Sequence, residues 1–258
     1  MKNIFFSGIF LCFFFSCSSS EAQKEESVVS EVQVDTLKSQ RNEEYVSVST
    51  EVPSVPYATQ KANISQLKQD LKSKFERNEL SMDSISKVFT EVMVEKLIPY
   101  WYGTVWDFEG HTNTPGEGFI ACGYFVSTTL QHVGININRY KLAQQAPIHE
   151  AKSLAMGMNV MVLDTLEFTK AMDFLKSTLD DGLYFIGLSN HVGYLLKKRG
   201  ELFFLHSSYV APAKVVVERA LDSWPMQVSY VFIISPLSDN EKLMRAWLFN
   251  TPVPVVSQ

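Results

Sequence analysis

The order of hydrophobic periods along the chain predicts an α+β fold, with helices first and an antiparallel meander after them. Three observations carry this. From about residue 61 to 179, apolar residues recur at helical spacing. From about 183 they fall into short runs rich in β-branched and aromatic residues, bounded by turn formers. Arg199-Gly200 stands between two such runs as a hairpin turn. The 46% hydrophobic and 20% charged residues among 258 suffice for a sizeable core.

In chain order, Lys2 and the apolar run Ile4 to Phe15 read as a signal segment over 1–17, because a bilayer-spanning helix needs about 20 apolar residues. Ser16-Cys17 after that run resembles a bacterial lipobox, with Phe14 where an aliphatic residue is usual. Lipidation of Cys17 is therefore expected, and with it a bacterial envelope lipoprotein held on a membrane outside the cytoplasm. An ordinary secretory signal cut nearby is the alternative. Residues 18–60 are rich in Ser, Glu, Gln and Lys and read as a flexible tether. The folded domain is expected over 61–250, with 251–258 as a tail.

Within that domain, Ile64, Leu67, Leu71 and Phe75 mark one helix face. Ser81 opens a second helix, striped by Ile85, Val88, Phe89 and Val92 and stopped by Pro99. Residues 100–120, with four glycines, two tryptophans and a proline, read as an aromatic loop. A helix follows from Cys122 to Val133, with Gly134 as its stop. Shorter helices fit 139–146 and 149–156, and another 166–179, capped by Asp164 or Thr165. Strands are expected at 183–188, 191–196, 201–206, 214–218 and 228–234, and a last helix at 239–249.

A net charge of −5 without a basic stripe argues against a nucleic-acid partner. Of the three cysteines, Cys12 falls in the signal and Cys17 at its end, so Cys122 has no partner in the mature chain. A lone thiol in an oxidising compartment points to intermolecular pairing or to reactivity. Cys122 opens a helix, where unpaired N–H groups and the dipole favour a thiolate. His191 and His206 lie equally far from the hairpin tip, to within a residue, so they face each other across two strands. One imidazole can then orient the other while the first serves as base to the thiol, which requires Cys122 within about 4 Å of His191. His111 is a reserve base. His132 is about 15 Å along the helix from Cys122, and His149 lies in a polar stretch. Zinc would also suit a cysteine and two histidines, but no CxxC or HExxH spacing supports it.

The segments YGTVWDFEGHT, GFIACGYFVSTTLQHVGI and NHVGYLLKKRGELFFLHSS, in that order, resemble the NlpC-like family of papain-fold cysteine peptidases and amidases. The resemblance spans about residues 100 to 210. It implies a papain-like fold, with the nucleophile's helix packed on an antiparallel sheet. It also implies Cys122 as nucleophile, His191 as general base, His206 as the group that orients it, and no metal or cofactor. Two departures bear on substrate. Trp106 stands where the family has a tyrosine, and Ala121 where it has an aspartate, so the polar groups that hold a substrate's free amine are missing. Asp107 is the acid that could stand in. Trp101, Trp106 and Phe108 are expected to wall the cleft. The reaction implied is amide hydrolysis through a thioester, on cell-wall peptides or peptidoglycan fragments. A thiol acyltransferase or amidase on a non-wall substrate, and a non-catalytic envelope-binding lipoprotein, are the competing readings.

Overall fold

The computed structural model describes residues 46–164 and 167–257. The signal segment, Cys17 and most of the expected tether lie outside them. The tether ends earlier than its composition predicts. Val48 is buried in the core, Lys198 Nζ donates to the Ser47 carbonyl, and the Tyr100 hydroxyl donates to that of Val55. Residues 46–56 are thus part of the domain, held by backbone groups that carry no sequence signature. The expected tail is likewise packed, with Val253 buried and its N–H bonded to the Asn136 carbonyl.

Helix α1 (Tyr57–Glu76) comes first. Helix α2 (Met82–Glu91) is capped by Ser81, whose side chain accepts the Ser84 N–H. Its path continues through a π-helical turn, Val92–Leu97, into a 3-10 turn, Ile98–Trp101. Helix α3 (Cys122–His132) ends before Gly134, whose φ of +98° suits glycine. Helices α4 (Arg139–Ala143) and α5 (Pro147–Ala155) precede β1 (Met161–Leu163), a strand not expected from the sequence although Val160 to Leu163 form a short apolar run. Helix α6 (Phe168–Thr178) is entered from Glu167, whose side chain makes no cap bond, while Thr165, one of the two expected caps, lies outside the described residues. The meander is β2 (Gly182–Gly187), β3 (Val192–Lys198), β4 (Glu201–Ser207) and β5 (Val215–Arg219). A short helix α7 (Trp224–Gln227), strand β6 (Phe232–Pro236) and helix α8 (Glu241–Phe249) complete the domain.

All strand pairs are antiparallel, in the order β1-β6-β2-β3-β4-β5. Alternation along each strand divides the core into two layers. Val192, Tyr194, Leu196, Phe203 and Leu205 face the layer that includes α1, α2, α3 and α8. Leu195, Leu202 and Phe204 face the smaller layer under α6. The domain is thus α+β, as the periods predict. Two buried ties seat α3 on the sheet. The Tyr194 hydroxyl donates to the Val126 carbonyl at 2.9 Å and lies 2.6 Å from the Thr129 hydroxyl. The Ser207 hydroxyl donates at 2.7 Å to the carbonyl of Ile120, two residues before the cysteine.

Candidate active site at the end of strand β3

Cys122 is the first residue of α3, and its cap position holds Ala121, which offers no side-chain bond. The N–H groups of that first turn are therefore left without a cap. Those of Cys122 and Gly123, together with that of Val192, face the sulfur. On the β4 side the β3 ladder ends at the Tyr194–Leu205 pair. Beyond it the Val192 N–H turns to the thiol. The sulfur thus sits one peptide unit from His191.

The two histidines meet as the hairpin register requires. His191 Nε2 and His206 Nδ1 are 2.8 Å apart, and both rings are buried. His206 Nε2 lies 3.0 Å from Glu218 Oε1. Glu218 was not found from the sequence. It pairs with Phe204 across β4 and β5, which places it diagonal to His206 on the same face. Its parity relative to His206 was the available signal, but a charged strand residue ordinarily reads as solvent-facing.

Charge states follow from these bonds. Burial, the largest single influence, would raise Glu218, but the hydrogen bond from His206, a further contact from the Ser223 hydroxyl and the pull of the His206 ring together outweigh it and hold the carboxyl below its ordinary range. An ionised carboxylate only accepts, so His206 carries its proton on Nε2. His206 Nδ1 is then an acceptor, and His191 Nε2–H donates to it. This leaves His191 Nδ1 unprotonated and, among the described residues, without a hydrogen-bond partner. Burial, reinforced by His206, holds His191 well below the usual imidazole range, so the ring is a neutral base at rest.

Two expectations need correction. Burial pushes the Cys122 thiol up to about 11, against the pull of the Val192 N–H and with the help of Glu150. The resting sulfur is a thiol, because desolvation exceeds what a helix start supplies. No hydrogen bond joins it to either imidazole among the described residues. The reason is visible in the layers: Cys122 packs against the first core layer, whereas His206 stacks on Phe204 of the second at 4.0 Å. Thiol and imidazoles approach the end of β3 from its two sides.

The aromatic walls differ from expectation. Trp106 remains at the site. Its ring lies 6.2 Å from Tyr209, which is 5.1 Å from His191, and its buried Nε1–H has no partner among the described residues. Tyr209, in a loop without pattern, was missed. Trp101 is fully buried, with its indole N–H donating to the Tyr57 hydroxyl, so it belongs to the core. It ends a helical path, and the sequence alone read its position as loop. Phe108 is 77% exposed on a turn. Asp107 accepts the Glu109 N–H and lines a separate groove with His111, Arg139 and Tyr140. His132 is structural, bonded to Tyr57 and Asn113 and held down at about 4 by burial. Among the described residues no three His, Cys, Asp or Glu side chains converge as metal ligands would.

Glu150 was also missed. It is buried on α5, its Oε2 has no partner among the described residues, and burial holds the carboxyl well above its ordinary range. It acts electrostatically on both Cys122 and Tyr194.

No protein-family model, curated protein or solved structure matches the chain.

Proposed function

We propose that the chain is a papain-like cysteine hydrolase of the cell envelope, lipid-anchored through Cys17, that cleaves amide bonds in cell-wall peptides. The observation that carries the reading is the line His191–His206–Glu218, bonded at 2.8 and 3.0 Å and ending one peptide unit from a cysteine that starts a helix. A line of this kind fixes which nitrogen of His191 is basic. A merely structural histidine pair has no need of that.

In this reading substrate binding must first bring the sulfur to His191 Nδ1, since the two are not bonded at rest, and the Cys122 thiol then passes its proton to that nitrogen as sulfur attacks the amide carbon. The imidazolium is stabilised through His206 by Glu218, which stays ionised. The tetrahedral oxyanion is received by the uncapped N–H groups at the start of α3. The C–N bond then breaks and His191 returns the proton to the leaving amine, leaving a thioester. Water, deprotonated by Nδ1, attacks the thioester and releases the acid and the thiol. If an amine takes the place of water, the same steps make an acyltransferase. The near-complete burial of both rings, 1% and 0% exposed, favours that second outcome by limiting water.

The test is to incubate the full chain with peptidoglycan fragments and simple peptide amides, with and without added amines, beside Cys122→Ala. Turnover and an acyl mass on Cys122, both absent in the variant, are expected. A folded wild-type chain that acquires no acyl group and cleaves no amide would leave the binding-lipoprotein reading instead.

A further inference from the structure

We propose that the groove beside the start of α3 is a subsite for a substrate carboxylate, with Arg139 as its receptor. The inference deepens the hydrolase reading, and rests on it for the subsite's role. The groove, of about 610 Å³, is lined by residues that include Asp107, Glu109, His111, Arg139 and Tyr140. It adjoins the nucleophile through the backbone. The Ala121 N–H donates to the Gly110 carbonyl at 2.8 Å, and His111 forms a bridge with Ile120. Tyr124, in the first turn of α3, packs on His111 and Tyr140 at 5.7 and 5.8 Å. An extended residue spans about 3.5 Å, so a group bound here belongs to a residue close to the scissile bond.

Arg139 is the unusual member. It is 5% exposed and always charged, yet no carboxylate pairs with it among the described residues. Nη1 donates to the Thr128 hydroxyl at 2.7 Å, and Nη2 to the His111 carbonyl and the Tyr140 hydroxyl at 3.1 and 2.8 Å. The guanidinium also lies 4.3 Å from the Tyr140 ring centroid. These contacts fix the fork and hold it flat, but none neutralises the charge. Of the five N–H groups of a guanidinium, Nε–H and one on Nη1 are left without an acceptor among the described residues. Buried charges are ordinarily paired, and a planar fork held by its own shell suits a carboxylate best. Asp107 and Glu109 are exposed at the rim, where they disfavour a diffuse anion. Selection therefore falls on a carboxylate carried to the floor of the groove by a bound peptide.

The test uses two peptides that differ only in one carboxylate, succinyl-alanyl-alanine amide and its succinamyl counterpart. Binding to the folded Cys122→Ala chain is measured by calorimetry, and the Arg139 Nε–H resonance is followed by NMR. About tenfold or tighter binding of the carboxylate, with displacement of that resonance, is expected. Arg139→Met should abolish the preference, and Arg139→Lys should keep only part of it. Equal binding of the two peptides, no binding of either at millimolar concentration, or a preference that survives in Arg139→Met overturns the subsite. The wild-type comparison and the resonance decide the matter even if Arg139→Met does not fold. Selective binding without turnover by the wild-type chain keeps the subsite and sinks the hydrolase. Turnover of amides without carboxylate preference does the reverse.

Discussion

His191 Nε2 and His206 Nδ1 stand 2.8 Å apart with one proton between them, and Glu218 decides which nitrogen owns it. Glu218→Gln keeps an acceptor for His206 Nε2–H, so stability should change by less than about 1 kcal/mol. Glu218→Leu leaves that donor buried and unpaired, at a cost of about 1–3 kcal/mol. The ¹⁵N spectrum of the two rings is the check. His191 should be protonated on Nε2 in the wild type and in Glu218→Gln, and should become a tautomer mixture in Glu218→Leu. An unchanged spectrum in Glu218→Leu would show that Glu218 does not set the tautomer.

Cys122, half-buried at the edge of the first core layer, should react as a protonated thiol. With its pKa pushed up to about 11, alkylation by iodoacetamide at neutral pH should be slower than that of a free cysteine. The rate should climb about tenfold per pH unit towards 11, because only the thiolate attacks. Rapid labelling below neutrality would instead mean a resting thiolate–imidazolium pair. Turnover by a protonated thiol depends on His191 as base, so His191→Ala should lower any activity by about 100-fold or more.

Glu150→Gln should stabilise the protein at neutral pH. The carboxyl is raised in the folded state, so the folded chain binds a proton that the unfolded chain releases above about pH 4.3. Wild-type stability therefore falls as pH rises above that value, by about 1.4 kcal/mol per unit until the folded-state group ionises. Glutamine has no such penalty. The melting-temperature advantage of the variant should grow from pH 4 to neutrality, and a constant difference would refute this account.

Gly193 should not accept a side chain. A Cβ there would meet Phe204 Cε2 at 2.6 Å, the Leu205 carbonyl at 2.8 Å and His206 Cβ at 2.9 Å. Gly193→Ala should cost about 1–3 kcal/mol and push His206 away from His191. Chemical denaturation reads the cost, and the histidine ring resonances read the displacement.

The sequence by itself determined the α+β order, the hairpin about Arg199-Gly200, the start of α3 at Cys122 and the meeting of His191 with His206. These are local facts. Helical and strand periods, turn residues and equal spacing from a hairpin tip fix which residues neighbour one another within an element or across a two-residue turn. What only the tertiary structure decided depends on contacts between distant segments. Glu218 joins the histidines because β5 pairs with β4, Trp101 is withdrawn into the core by Tyr57, and Tyr209 reaches His191 from an unpatterned loop. The same holds for residues 46–56, which pack through backbone carbonyls, and for the protonation of Cys122. A helix start lowers a thiol's pKa and burial raises it, and the extent of burial belongs to the assembled layers rather than to the helix.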